Sequence, residues 1–260
     1  AKIKKLGIRI LMVTGDTTGT AKAIAEQVGI AVSDATDVAK SAAKVVLTEP
    51  GLSNITKVID SGHRVYRRMM TWTITKLART AELAALLTFG FIFTRFFPVS
   101  LSLIVFIIVM NDMVTLTLGT DKAWPTSVPE KWDMPQLAKI SAIFTMGWLA
   151  LGLGLLWLYL KVQHLGASQI SSLMFVYLIY SAMETILMTR TRDPFWSFAT
   201  SKWVGGMVAI NFILATLMAV SWQSILILFA ITVVAMLVLD GLKVWYYKMT
   251  GILGTERHTK

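Results

Sequence analysis

Apolar residues gather in six long runs, at 72–93, 99–118, 140–160, 171–188, 204–220 and 225–245, separated by short polar stretches. A bilayer core of roughly 30 Å takes about 20 residues of helix per crossing, so each run has the length of one span, the fifth being the shortest. None alternates with period two, and in lipid only a helix or a closed barrel satisfies the backbone. The pattern predicts an all-helical bundle.

The first 70 residues follow a different pattern. A short apolar strand at 8–13 ends in Thr14-Gly15-Asp16, and a helix from about Thr20 closes at Gly29. A second strand follows near Ile30, then a short helix begun by Asp34 or Asp37 as cap, a third strand at 44–47, and an amphipathic helix leading into the first apolar run. Asp16 thus falls in a loop between strand and helix, the place where open α/β sheets hold phosphate and its metal ion. The fold class is mainly α: a polytopic membrane bundle of six transmembrane helices preceded by a small, incomplete α/β segment.

Composition sharpens this picture. Of the 260 residues, 55% are apolar and 15% charged, too few charges for an ordinary soluble domain. The net charge of +10 comes from short clusters beside the apolar runs, with no continuous basic face, which points to lipid headgroups and away from nucleic acid. With no cysteine and three scattered histidines, no metal-ligand spacing is present. Arg64, Arg67 and Arg68, then Lys122 and Lys131, then Arg190, Arg192 and Lys202, and finally Lys243 and Lys248 all fall on one side of the predicted spans. By the positive-inside rule both termini are expected in the cytoplasm. Trp72, Tyr159, Trp203 and Tyr246 suit an interfacial belt.

Charges within the spans are the candidate chemistry, because each costs ~2.5–3.5 kcal/mol or more at the bilayer centre. Asp112, beside Asn111 in "IIVMNDMVTL", has no neutralising neighbour in sequence. Its functional reading is a carboxylate that takes and releases a proton; its structural reading is a hydrogen-bonded acid that fixes helix packing. Lys76, Arg79 and Glu82 follow at three-residue intervals in the first span, so Arg79 and Glu82 also suit an internal ion pair. Counting ~1.5 Å per residue from the span ends puts Arg79 level with Asp112 and Glu82 a turn deeper. Arg79 is therefore the expected counter-charge, with Glu82 as a second proton site. Lys76 and Glu184 are weaker candidates. Glu184 and Asp240 lie where Arg190 and Lys243 reach them, and Asn211 suits an interhelical hydrogen bond.

The strings "MVTGD", "GIAVSDATDVAKSAAKVVLTEPGLSNI", the arginine-rich stretch after them and "MNDMVTLTLGTDKAWPTSVPEKWDM" resemble, in this order, the carboxyl-terminal part of plasma-membrane-type proton-pumping P-type ATPases. The resemblance implies that residues 1–56 are a partial phosphorylation-domain-like segment, 57–71 a stalk helix, 72–248 the fifth to tenth membrane helices and 249–260 a cytoplasmic tail. It implies a phosphate and magnesium remnant at Thr14, Gly15 and Asp16, and the proton acceptor at Asp112. It aligns Glu82, not Arg79, with the arginine that opposes that acceptor in the family. ATP and magnesium are the parent family's cofactors. Its acceptor motif DKTGT and metal motif GDGxNDxP do not occur here, and the chain passes from Gln27-Val28-Gly29-Ile30 to Ala31 where the second is expected. An in-frame deletion between two Val-Gly-Ile copies accounts for that junction. The expected function is the membrane portion of an ATP-driven proton or cation exporter, inactive as a pump alone. The alternatives are a passive proton or cation conductor, or a non-catalytic partner or scaffold of an intact pump. The expected partners are the bilayer, protons, and a separate amino-terminal catalytic half or an intact pump.

Overall fold

A computed structural model of the chain describes residues 30–31, 33, 37–42, 45–48, 53–123, 133–218 and 222–250. Thr14, Gly15, Asp16, the strand expected at 8–13 and its helix lie outside the described residues.

Two units divide near Arg64. In the first, strands β1 (Ile30–Ala31) and β2 (Val45–Val46) pair in parallel, with helix α1 (Asp37–Ala42) between them in sequence. A parallel pair needs such a crossover, and acidic Asp37 in the first turn of α1 complements the helix dipole.

The second unit is helical. Its elements are α2 (Ser53–Thr94, which enters it at Val65), α3 (Leu101–Thr117), α4 (Met134–Lys161), α5 (Ala167–Thr189), α6 (Lys202–Leu217) and α7 (Trp222–Met249). Among the described residues, five helices are long and apolar enough to cross a membrane. The run expected at 204–220 forms α6, whose 16 residues make it shorter than the other five. Local chemistry sets the helix starts: Asp133 accepts from the Gln136 amide at 3.2 Å, and Ser201 accepts from the Val204 amide at 3.2 Å. Between α2 and α3, Arg95 takes a positive φ of 62° and returns its amide to the Phe91 carbonyl, which stops α2.

The hub is α5, which packs against α3, α4, α6 and α7. It is buried along almost its whole length, as expected of a helix apolar all round. Around it the outer helices turn Leu101, Leu116, Ile213, Leu226 and Val234 outward, the surface that hydrocarbon solvates. Trp72 and Trp203 are exposed, but Tyr159 is 4% exposed, so its expected place in an interfacial belt is corrected: it packs in the core. Close helix contact requires small residues at Gly147, where a Cβ would press on Leu239 of α7, and at Gly152, where it would press on the Tyr177 ring and Leu86.

Two polar knots tie the helix ends together. Asp121, just past α3, takes a two-point contact from the Arg190 guanidinium and accepts from the Ser201 amide at 2.9 Å, while its carbonyl accepts from Arg68 Nε at 2.7 Å. Arg190 thereby serves Asp121, where the sequence suggested Glu184. In the second knot Lys243 pairs with Asp240 at 2.6 Å and donates to the Met188 and Asp193 carbonyls, both at 2.9 Å. Asp240 also accepts from the Phe195 amide at 3.0 Å. Both acids are almost fully buried, so loss of one charge leaves its partner uncompensated. Asp121→Asn is expected to lower stability by ~1–3 kcal/mol, read as a lower unfolding midpoint in detergent micelles.

Candidate functional site

The charged residues of the first and second runs come together where α2, α3 and α5 meet. Lys76 on α2 forms an ion pair with Asp112 on α3, and the two side chains are 34% and 52% exposed. One turn further along α2, Arg79 turns towards α5. It contacts Glu82 at 2.5 Å, the Ser181 hydroxyl at 2.8 Å and the Leu178 carbonyl at 2.6 Å, and Ser181 in turn donates to Glu82 at 3.0 Å. Glu82 is fully buried. These are charge-assisted contacts between groups shut away from solvent, the setting in which each partner depends most on the other.

The expected pairing of Asp112 with Arg79 is therefore corrected. The guanidinium is held by three acceptors on the α5 side, and the compact Lys76 ammonium meets the aspartate instead. The aspartate sits on an exposed flank of α3, its side chain 52% exposed beside Lys76.

Between the two ion pairs lies a cavity of about 180 Å³, lined by Thr75, Lys76, Arg79, Asn111, Asp112 and Thr115 among others. Arg79 Nε and Asn111 Oδ1 are buried without a hydrogen-bond partner among the described residues. A donor and an acceptor left over at the edge of a space this large suit bound water, although Leu83, Ile107, Ile108 and Ile186 make much of its wall apolar. Hydroxyls of α5 also tie it to two neighbours: Thr189 meets Thr75 of α2 at 2.9 Å, and Thr185 accepts from Trp148 Nε1 of α4 at 2.8 Å.

Glu184 is 1% exposed, and neither carboxyl oxygen has a hydrogen-bond partner among the described residues. Asn211 on α6 donates to the Met110 carbonyl of α3 at 2.9 Å. Asp121 and its contact with Arg190 were not singled out from sequence. An aspartate in a loop next to a lysine is ordinarily solvated, and only the fold reveals its burial. No group of three His, Asp or Glu suited to a metal ion occurs among the described residues.

A bundle with five helices long and apolar enough to cross a membrane defines a multi-pass membrane protein, and its sequence is homologous to the membrane part of P-type cation- and proton-transporting ATPases. It is 31% identical over 223 residues to plasma membrane ATPase 2 of Saccharomyces cerevisiae, covering 83% of this chain and 23% of that protein. With plasma membrane ATPase 1 of Candida albicans the figures are 31% over 214 residues, 80% and 24%. A Methanocaldococcus jannaschii protein assigned as a cation-transporting ATPase is 27% identical over 252 residues, covering 93% of this chain and 31% of that protein. The chain thus spans between 23% and 31% of the length of these relatives. No protein-family model matches it.

Proposed function

We propose that these residues form the carboxyl-terminal membrane portion of an ATP-driven proton exporter of the plasma membrane, with Asp112 as the proton-carrying carboxylate. Lys76 is its counter-charge, Asn111 lines the same cavity, and the Arg79–Glu82 pair forms a second charged site one turn away. In this reading α6 is the fifth of six spans, both termini are cytoplasmic, residues 1–56 are the remnant of a phosphorylation domain, and Thr14, Gly15 and Asp16 are what remains of its phosphate and magnesium site. ATP and magnesium act on the catalytic half, which these residues do not contain.

The observation that carries the proposal is the Lys76–Asp112 pair, two opposite charges facing each other within two apolar spans beside a cavity that also holds Asn111 and Arg79. Charges in such places are functional by default. Its exposure favours a working partner over a passive conductor: in a bilayer that flank would meet hydrocarbon, so further membrane helices have to cover it.

Phosphoryl transfer depends on a positioned nucleophile and metal, and neither family motif is present. These 260 residues alone are therefore expected to take no acid-stable label from γ-labelled ATP, whereas co-assembly with the amino-terminal half of a related pump is expected to give vanadate-sensitive hydrolysis. A label on the chain alone refutes the division of labour; no hydrolysis from a stable co-assembly refutes the pump reading.

A further inference from the structure

We infer that α6 positions the ion-binding aspartate through a two-point clamp, on α3 and on the turn that follows it, with Asn211 as the positioning residue; the inference rests on the reading of Asp112 given above. One point is the start of α6, where the Ser201 amide donates to Asp121 Oδ1 at 2.9 Å. The other is Asn211 Nδ2, which donates to the Met110 carbonyl, also at 2.9 Å. Asp121 lies past α3 and the 3-10 turn Leu118–Thr120 that follows it, so one bond holds α3 itself and the other holds the turn at its end, while along α6 the two donors stand ~15 Å apart. Two bonds at that spacing fix both the height and the rotation of α3, which a single bond does not.

Rotation matters because of where Asp112 lies. Met110 is 6% exposed and turns its flank to α6. Two residues on, ~200° around the helix, Asp112 points to the opposite flank, towards Lys76. At a side-chain radius of ~6 Å, a 10° rotation of α3 moves the carboxylate by about 1 Å relative to α2. The Met110 carbonyl lies inside a regular helix, where its neighbour four residues on already claims it. A second donor from a 1%-exposed asparagine is thus not needed to satisfy α3, and since the same Nδ2 also meets Met183 Sδ of α5 at 3.5 Å, it references the azimuth of α3 to both α6 and α5. The charged groups facing Asp112 are Lys76 and, across the cavity, Arg79, both on α2; α5 presents Ala182 and Ile186 there.

The test uses the full chain in lipid nanodiscs with carboxyl-labelled aspartate, following the Asp112 signal against pH by carbon-13 NMR and assigning it with Asp112→Asn. Asn211→Leu removes the donor, Asn211→Ser shortens it beyond reach, and Asn211→Gln keeps it. Thr216→Val is the control, because it deletes another α6 hydrogen bond, to Tyr180, that does not touch α3. The Leu and Ser variants are expected to move the Asp112 midpoint by about half a pH unit or more, roughly threefold in proton affinity. Gln should recover part of that shift, and Thr216→Val should leave the midpoint in place. If Asn211→Leu does not fold, Asn211→Ser decides. An unmoved midpoint in the folded variants, or an equal shift in Thr216→Val, overturns the clamp and leaves Asn211 as interhelical packing. Since the readout needs no transport, a clamp that holds while Asp112→Asn still pumps would refute the role of Asp112 alone.

Discussion

Asp112→Asn is expected to abolish proton transport by the assembled pump, a loss of ~100-fold or more, because a positioned acid–base group contributes on that scale and the amide cannot titrate. The substitution keeps the size of the side chain and an acceptor oxygen for Lys76, so the bundle should still assemble. ATP hydrolysis measured in the same vesicles separates loss of the carrier from loss of the pump. Hydrolysis that continues without acidification is the expected pattern. Lys76→Gln should act differently: it leaves the carboxylate in place but without its cation, so its effect should be a displaced pH profile. Equal losses in both variants, with hydrolysis gone, would point to a folding defect instead.

The second large effect concerns stability. Glu82→Ala is expected to cost ~3–5 kcal/mol, the penalty for leaving a buried charge without its partner. Arg79 would keep Ser181 and the Leu178 carbonyl but lose the only carboxylate that contacts it among the described residues. Replacing both members by apolar side chains of similar volume, Arg79→Met with Glu82→Leu, should recover most of the loss, since no uncompensated charge then remains. Unfolding midpoints of the two single variants and the double variant measure this directly. A double variant as unstable as the sum of the singles would mean that the residues act independently, and the buried pair would lose its meaning.

Much of the fold was legible because it rests on one-dimensional physics. Apolar length marks a span, and five described helices have it, whereas the caps Asp133 and Ser201 were not singled out, although each is a residue type that favours a helix start. The site was legible in its residues but not in its pairing. Spacing along α2 says that Lys76, Arg79 and Glu82 lie on one side, but which of them faces α3 and which α5 depends on how three helices cross, and the acceptors that hold Arg79 come from α5, about a hundred positions away. Counting depth from the span ends placed Arg79 level with Asp112 and so selected the wrong cation. Level is not direction, and a long lysine one turn away reaches as far. Asp121 escaped notice for the opposite reason, since the loop sequence around it reads as solvated. Tyr159 was misplaced because aromatic residues near span ends serve both interfaces and cores, and only packing distinguishes them.

In the proposed function this bundle moves protons through Asp112 when joined to a catalytic half. The most direct measurement is internal pH in vesicles that hold the co-assembled protein and receive ATP and magnesium outside, in buffer free of other transportable cations. The proposed role of Asp112 predicts ATP-driven acidification that is sensitive to vanadate and absent with Asp112→Asn. Acidification undiminished in Asp112→Asn, or ATP hydrolysis by the unsubstituted protein with no proton movement, would contradict it.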